Sequence, residues 1–217
     1  MNFTVGIDEA GRGCMWGSVF AGAVILPEEL SNEDIMTEKE KFLIRDSKKL
    51  SEKRRDEAAE LIKERSIAWG VGECTPEEID HHNILNATHT AMHRAVNMCY
   101  EKLCKKHPGS TINLKIDGNS FRIYYIPHTD NIVDHECVVE GDSKYRCISA
   151  ASILAKTTRD KYVVDIVNEK PEIHEKWGLA KHKGYCTKQH MDAIQEYGIH
   201  ELHRKSYAPI KRILNMT

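Results

Sequence analysis

The chain has the length and composition of an ordinary globular protein with one hydrophobic core. It has 217 residues, of which 41% are hydrophobic and 29% are charged. No apolar run approaches the roughly 20 residues of a membrane-spanning helix, and no secretory signal precedes the first predicted strand, so no membrane association is expected. The seven cysteines include no CxxC pair, which predicts neither a disulfide framework nor a zinc site and favours a reducing, cytoplasmic setting.

Charge is distributed unevenly along the chain. The formal net charge is only −2, but residues 141–217 carry 14 Lys and Arg against 9 Asp and Glu, and residues 1–140 carry 17 against 24. A basic part joined to an acidic part fits a polyanion that is bound near clustered carboxylates. Chance asymmetry on a solvated surface explains the same numbers equally well.

The first predicted strand, residues 3–6, leads into two carboxylates and a glycine loop, which we define as residues 11–13. Side chains alternate along a strand, so Asp8 and Glu9 would point apart unless the backbone turns there. Gly11 and Gly13 are predicted to permit that turn. Carboxylate oxygens suit Mg²⁺ or Mn²⁺, whereas loop amides and a guanidinium suit phosphate or hydroxyl oxygens. The segment therefore predicts a site, with a solvated turn as the alternative.

Further along the chain, hydrophobic periodicity predicts alternating strands and helices. Ser51 and Thr75 are predicted to cap helices. The order of elements predicts an α/β fold with a mixed sheet. Strands are predicted over residues 18–26, 66–73, 111–116, 123–126 and 135–139. Helices are predicted over 51–65, from 76, over 83–105, over 143–167 and through 168–217 apart from loops at 178–187 and 198–209. A surface loop is predicted over 28–40.

A third carboxylate, Asp117, follows the strand at 111–116. In α/β sheets, functional sites gather at strand ends, so Asp8, Glu9 and Asp117 are expected to lie near one another. Three carboxylates brought together repel one another unless a cation sits among them. Asp160, at the end of a polar helix face, is the candidate for a fourth. The sequence therefore predicts a divalent-metal site.

These motifs resemble, in order and over nearly the whole chain, those of the type 2 ribonucleases H, the ribonuclease HII family. No single motif is specific, but their succession is. The matching stretches are GIDEAGRG (6–13), DSKKLS (46–51), GVGECTPEEID and NILNAT (within 70–95), IDGN (116–119), GDSKYRCISAASILAKTTRD (141–160), HKGYCTKQH (182–190) and HRKSYAP (203–209).

The resemblance implies a ribonuclease H-like fold, in which helices flank a central mixed β-sheet. It implies a catalytic domain over residues 1–167 and a small, helical, basic C-terminal lobe over 168–217 that completes the substrate groove. The implied activity is cleavage of the RNA strand of RNA–DNA hybrids, and cleavage 5′ to single ribonucleotides in duplex DNA, as in ribonucleotide excision repair. The implied mechanism uses two Mg²⁺ or Mn²⁺ ions and leaves 3′-hydroxyl and 5′-phosphate ends.

The same resemblance assigns roles to individual residues. The four acidic residues of the family, which are catalytic and bind the metals, fall on Asp8, Glu9, Asp117 and Asp160. The loop that senses the 2′-hydroxyl falls on Gly11, Arg12 and Gly13, the tyrosine that packs against the following deoxyribose on Tyr185, and a lysine near the scissile phosphate on Lys48. Lys144 is a further candidate for a phosphate contact, with a solvated position as the alternative.

Some features depart from the family pattern or leave other functions open. Bulky Trp16 stands close after the glycine loop, where we expect it to pack beneath the loop rather than to contact a base. The chain stops soon after Leu214, without the tail that some members use to bind a sliding clamp, so clamp binding is doubtful and a monomer is expected.

Two alternative functions are a nucleic-acid-binding protein that has lost catalysis, against which the four acids argue, and a DNA nuclease or integrase-like enzyme. The pairing of the glycine loop with Tyr185 argues against the latter.

Overall fold

The computed structural model describes residues 1–32, 36–44 and 50–216. Within these ranges the chain forms a five-stranded sheet and flanking helices. In chain order the elements are β1 (Asn2–Ala10), β2 (Val19–Ile25), α1 (Glu28–Ser31), α2 (Glu38–Leu43), α3 (Glu52–Arg65), β3 (Ala68–Cys74), α4 (Pro76–His82), α5 (Ile84–Lys106), β4 (Thr111–Asp117), β5 (His135–Val138), α6 (Gly141–Lys144), α7 (Arg146–Glu169), α8 (Pro171–Trp177), α9 (Leu179–His182), α10 (Lys188–Tyr197) and α11 (Ala208–Met216).

The sheet is mixed, as the sequence predicts. Its strand order is β3-β2-β1-β4-β5. Strand β2 is antiparallel to β1 and β3, whereas β1, β4 and β5 run parallel. Helix α5 packs on one face and α7 on the other. This arrangement confirms the predicted mixed sheet with helices on both faces.

Two glycines let the covering helices approach the sheet closely. A Cβ atom at Gly22 of β2 would overlap the backbone of Ala151 in α7. A Cβ atom at Gly72 of β3 would overlap the backbone of Ala91 in α5. Because backbone meets backbone at both places, the position of each helix over the sheet is fixed to a fraction of an ångström.

Helix starts are set by local capping. The Ser51 hydroxyl accepts a hydrogen bond from the Arg54 amide, and Thr75 forms a full capping box with Glu78. Both predicted caps are confirmed. The C-terminal helices close a separate hydrophobic cluster in which Trp177, Ile194 and other residues pack against Met15, Trp16 and Val163. The division at residue 167 remains a prediction, and α7 itself continues to Glu169.

Several predicted boundaries differ from the structure. The predicted surface loop over 28–40 contains α1 and the start of α2. Residues 123–126 are not a strand, because only Tyr125 forms a bridge, to Ile132. The predicted helix over 143–167 is two helices, since Tyr145 is extended and separates α6 from α7. The predicted loop over 178–187 includes α9. No described helix is long and apolar enough to cross a membrane.

Candidate active site

Strand β1 does not turn at its carboxylates, so that prediction is wrong. Asp8 and Glu9 keep regular strand pairing, opposite Gly22 and Ala21 of β2, and β1 ends only after Ala10. Their side chains consequently leave opposite faces of the sheet. The carboxyl group of Asp8 is 6% exposed and is hydrogen-bonded by Ser152 of α7. The carboxylates stay close because both lie at the end of the strand.

Asp117 ends β4, which runs parallel to β1, and so reaches the same edge of the sheet. Its Oδ1 atom accepts a hydrogen bond from the Gly141 amide at 2.6 Å, which anchors the start of α6 beside the site. A small cavity of about 40 Å³ lies at this edge and is lined in part by Glu9, Arg12 and Asp117. The predicted gathering of three carboxylates at the strand ends is therefore what the fold produces.

The charges of these carboxylates perturb one another. Burial raises the pKa of Asp8 well above its ordinary value, and the charges of Glu9 and Asp117 raise it further. Burial also raises the pKa of Glu9, although Arg12, whose Nη1 atom is 3.2 Å from Glu9 Oε1, partly opposes the shift. The edge of the sheet thus carries more negative charge than its protein neighbours compensate.

Asp160 has a different environment. It lies on α7, where Lys156 Nζ is 2.9 Å from Oδ1, Arg159 Nη1 is 3.7 Å from Oδ1, and Arg55 Nη2 of α3 is 3.8 Å from Oδ2. Among the described residues, no group of three or more His, Cys, Asp or Glu side chains is arranged to hold a metal ion. The structure thus brings Asp8, Glu9 and Asp117 together and pairs Asp160 with basic side chains.

A divalent cation nevertheless fits the chemistry of the three strand-end residues. Their donors are all carboxylate oxygens, which Mg²⁺ and Mn²⁺ prefer. Burial raises the pKa values of Asp8 and Glu9, and the neighbouring carboxylates add to the shift of Asp8, so a cation at this place would stabilise their charged forms. Asp160 could join such a site only by giving up contacts with its basic neighbours.

The glycine loop is held from beneath by a buried arginine. Gly11 adopts a φ of 98°, which an L-residue rarely adopts. The guanidinium of Arg204 is fully buried and donates from Nη1 to the carbonyl oxygens of Gly11 at 2.8 Å and Arg12 at 3.2 Å, and from Nε to that of Gly17 at 2.8 Å. Gly13 has no such positive φ. The loop backbone is therefore fixed, while the Arg12 side chain is half exposed.

Tyr185 lies beside the glycine loop on the Tyr185 loop, which we define as residues 182–187. It forms an isolated bridge with Cys14, and its side chain is hydrogen-bonded to that thiol. The ring is 41% exposed, and a Cβ at Gly13 would lie 3.9 Å from it. Lys156 Nζ is 5.4 Å from the ring centroid. An exposed aromatic face thus borders the loop, as the sequence predicts.

The remaining predicted residues fall elsewhere. Lys48 lies outside the described residues. The Nζ atom of Lys144 donates to the Val139 carbonyl at 2.7 Å, and Lys144 lines a cavity of about 980 Å³ that none of the four acids lines. Trp16 is fully buried, as predicted, and its ring lies beside those of Tyr162 and His200 in the C-terminal hydrophobic cluster.

Sequence reasoning missed the buried basic residues and histidines around the loops. Arg159 and Arg204 are both 0% exposed, and His190 and His203 are equally buried. Charged and polar residues are ordinarily assigned to the surface, so no pattern in the sequence marks these four as interior. The motifs that contain them were visible, but their role as supports for the loops was not.

Comparison with known proteins places this site in a family. A sequence model of the family "Ribonuclease HII" matches residues 5–210. The chain is 46% identical, over 211 residues, to a ribonuclease HII of Neisseria gonorrhoeae, and the match covers 97% of this chain and 95% of that protein.

Solved structures with low sequence identity share the fold. The ribonuclease H2 of Pyrococcus horikoshii has a TM-score of 0.72 at 20% identity, with 98% of this chain and 97% of that chain covered. Bst-RNase HIII in complex with Mn²⁺ has a TM-score of 0.65 at 19% identity, with 99% and 70% covered. The RNase HII of a PCNA complex from Archaeoglobus fulgidus has a TM-score of 0.62 at 24% identity, with 94% and 95% covered. By its family match and its curated relatives, the chain belongs to the ribonuclease HII family and is a ribonuclease H hydrolase.

Proposed function

We propose that this enzyme cleaves the RNA strand of RNA–DNA hybrids and also cuts 5′ to a single ribonucleotide embedded in duplex DNA. The observation that carries the proposal is the meeting of Asp8, Glu9 and Asp117 beside a glycine loop and an exposed tyrosine. The carboxylates provide the hydrolytic chemistry, and the loop and the tyrosine provide the choice of sugar.

Two Mg²⁺ or Mn²⁺ ions are proposed as cofactors, which would supply a hydroxide nucleophile and neutralise charge on the phosphate, giving 3′-hydroxyl and 5′-phosphate ends. Asp8, Glu9 and Asp117 would hold them, with Asp160 completing the set. The Mn²⁺ complex of a protein with this fold supports that choice. Lys156, whose Nζ atom is 2.9 Å from Asp160 Oδ1, would be available to hold a phosphate oxygen if Asp160 served as a metal ligand.

In this proposed reaction the remaining residues of the site position the substrate. Arg12 is half exposed and adjoins Glu9, so it can hold a phosphate oxygen next to the carboxylates. Backbone groups of Gly11 and Gly13 can approach a 2′-hydroxyl because no side chain intervenes, and that hydroxyl is what separates RNA from DNA. The Tyr185 ring offers an apolar face to a deoxyribose, where a ribose would bury a hydroxyl without a partner. Lys48 and Lys144 remain proposed phosphate contacts.

Further proposals concern the oligomeric state, a protein partner and the cellular compartment. The proposed form is a monomer with the lobe at 168–217 completing the groove. The Archaeoglobus fulgidus RNase HII was solved in complex with PCNA, so a sliding clamp is a candidate protein partner. All seven cysteines are free thiols, which supports the proposed reducing, cytoplasmic setting.

The test uses three duplexes, one with a single ribonucleotide, one uniform hybrid and one of DNA alone, each with Mg²⁺ and with Mn²⁺. We expect the first two to be cut and the third to survive. Asp8→Asn should abolish cleavage while duplex binding stays within about twofold, because a neutral amide cannot hold cations together. Residual activity within about tenfold of wild type, a difference of only about 1.4 kcal/mol, would remove Asp8 from the mechanism.

The tyrosine is tested separately. Tyr185→Ala should lower kcat/KM for the single-ribonucleotide duplex more than for the uniform hybrid, since only the former presents a ribose–deoxyribose junction. Equal losses on both substrates would reduce Tyr185 to a structural residue. Cutting of the all-DNA duplex would favour the alternative of a DNA nuclease.

A further inference from the structure

A chain of buried histidines lies directly beneath the Tyr185 loop. His190 of α10 and His203 are both 0% exposed, and their Nε2 atoms are 3.0 Å apart. His190 Nδ1 is 2.9 Å from the Tyr185 carbonyl oxygen, and His203 Nδ1 is 2.7 Å from the His200 amide nitrogen. These contacts form one continuous path from the His200 backbone to the Tyr185 backbone.

The direction of every hydrogen bond in this path is fixed by the Tyr185 carbonyl, which can only accept, so a neutral His190 carries its proton on Nδ1 and leaves Nε2 as an acceptor. His203 must therefore be protonated on Nε2, which donates to Nε2 of His190. The unprotonated Nδ1 atom of His203 then accepts from the His200 amide at 2.7 Å rather than donating to the His200 carbonyl oxygen, which lies 3.2 Å away.

Two neutral rings satisfy this path without a further proton. A charged His190 would present a donor to the Nε2 donor of His203, unless His203 moved its own proton to Nδ1, which lies 3.2 Å from the His200 carbonyl oxygen. Burial lowers the pKa of His190 to about 4 and that of His203 to about 3, in agreement with two neutral rings. His182 also stacks on His190, with ring centroids 4.4 Å apart.

The Tyr185 loop, which these histidines support, has an unusual backbone conformation. Lys183 and Gly184 have φ values of 49° and 83°. Gly184 accepts a hydrogen bond from the Met15 amide at 2.8 Å, which connects the loop to the segment after the glycine loop. A left-handed backbone conformation is costly for a residue with a side chain, such as Lys183, so fixed contacts must hold the loop in place. The bond from His190 is a side-chain contact made directly to the backbone of Tyr185.

We propose that His190 and His203 are positioning residues that set the backbone of Tyr185, and hence its ring, through this one-way hydrogen-bond chain. The proposal rests on the proposed role of Tyr185 at the ribose–deoxyribose junction. Neither histidine touches the substrate. Their contribution is to keep the exposed ring at a fixed distance from the glycine loop, so that one nucleotide is read for a hydroxyl and the next for its absence.

Two substitutions at His190 each keep one of its two hydrogen bonds and remove the other. The amide nitrogen of Asn reaches the position of Nδ1, so His190→Asn keeps the bond to Tyr185 and loses the one to His203. The amide oxygen of Gln reaches the position of Nε2, so His190→Gln keeps the bond from His203 and loses the one to Tyr185. Both variants remove the ring and its stacking, so they are matched in lost packing.

The first readout is the ratio of kcat/KM for the single-ribonucleotide duplex to that for the uniform hybrid. We expect His190→Gln to lower this ratio about threefold to tenfold, the range of one hydrogen bond, and His190→Asn to leave it within about twofold. In a Tyr185→Ala background, His190→Gln should change the ratio no further. Equal effects of the two substitutions, or additive effects with Tyr185→Ala, would overturn the proposal.

The second readout does not depend on activity. Nitrogen-15 NMR of the wild-type protein should show His190 protonated on Nδ1 and His203 protonated on Nε2, and the opposite tautomers would overturn the proposal. Exchange of the Thr187 amide, which donates to the Tyr185 carbonyl at 2.9 Å, should quicken in His190→Gln and not in His190→Asn. If Tyr185→Ala alone leaves the substrate ratio unchanged, the junction role fails, and these two measurements still decide whether the histidines position the loop.

Discussion

Arg204 shows how one buried residue can determine the shape of a site that it does not enter. Its guanidinium has no carboxylate partner within the described residues and is satisfied mainly by carbonyl oxygens of Gly11, Arg12 and Gly17 and by the Tyr207 hydroxyl. Its Nη2 atom has no hydrogen-bond partner among the described residues. Burying a cation that has an unpaired donor costs folding free energy. What the protein gains from Arg204 is the fixed geometry of the glycine loop.

We expect Arg204→Lys to destabilise the protein and impair cleavage together. A lysine keeps the charge but cannot donate from fixed positions to Gly11 and Gly17 at once. The free energy of unfolding should fall by about 2–4 kcal/mol, judged from lost charge-assisted bonds. Urea denaturation measures the first effect, and kcat/KM on the uniform hybrid at a temperature where the variant is folded measures the second.

The exposed neighbour Lys205 provides the control for this substitution. Lys205→Arg should change neither measurement by more than experimental error, because its side chain faces solvent. Wild-type stability and activity in Arg204→Lys would show that charge alone is sufficient and that the fork of hydrogen bonds has no role.

At the scale of elements, the site depends on how closely two helices approach the sheet. Helix α7 supplies the Ser152 bond to Asp8 and carries Asp160, whereas α5 covers the opposite face. Gly22 and Gly72 set these two approaches. The glycines occupy equivalent situations on opposite faces, so they form a natural pair for comparison.

We predict that Gly22→Ala and Gly72→Ala each lower the free energy of unfolding by about 1–3 kcal/mol, because a methyl group must displace a helix backbone. Only Gly22→Ala should also lower kcat well beyond tenfold, since it moves α7, and with it Asp160, away from Asp8. Thermal unfolding and cleavage assays on both variants make the comparison. Similar losses of activity in the two variants would show that α7 has no special part in the site.

Across the whole molecule, buried neutral histidines make stability depend on pH. The folded pKa values of His190 and His203 lie at about 4 and about 3, below the unfolded value of about 6.5. Between these values the unfolded chain binds protons that the folded chain does not. Stability is therefore fully present above pH 6.5 and falls as the pH falls. The raised pKa values of Asp8 and Glu9 act in the opposite direction.

The histidine contribution can be isolated in an Asp8→Asn background, which removes the largest opposing shift. Urea unfolding between pH 7 and 5 should show stability falling with pH, and adding His190→Asn should reduce that slope by about 1.4 kcal/mol per pH unit once the pH is below 6.5. If the slope of the free energy of unfolding against pH is unchanged, the pKa of His190 is the same in the folded and in the unfolded protein.

The sequence by itself determined the main strands and helices and pointed to the candidate acidic residues. The caps at Ser51 and Thr75, the long helix α5 and the mixed sheet follow from local capping and hydrophobic period, which act over a few neighbouring residues. The assignment of Asp8 and Asp117 to neighbouring strand ends follows from the α/β pattern. Local signals sufficed for the caps and helices because these depend on residues close in sequence, whereas the strand-end positions of Asp8 and Asp117 follow from the alternating order of strands and helices.

Only the tertiary structure decided how these residues are used. It kept β1 straight through Glu9, paired Asp160 with Lys156, Arg159 and Arg55, and buried Arg204 beneath the glycine loop. The contact of Asp160 with Arg55 and the burial of Arg204 join residues from distant parts of the chain, whereas Lys156 and Arg159 lie within one turn of Asp160 on α7. Charged side chains are buried only when packing supplies partners for them, and those partners cannot be read from the neighbouring sequence. The carboxylates are thus a property of the sequence, and the framework that aims the loops around them is a property of the fold.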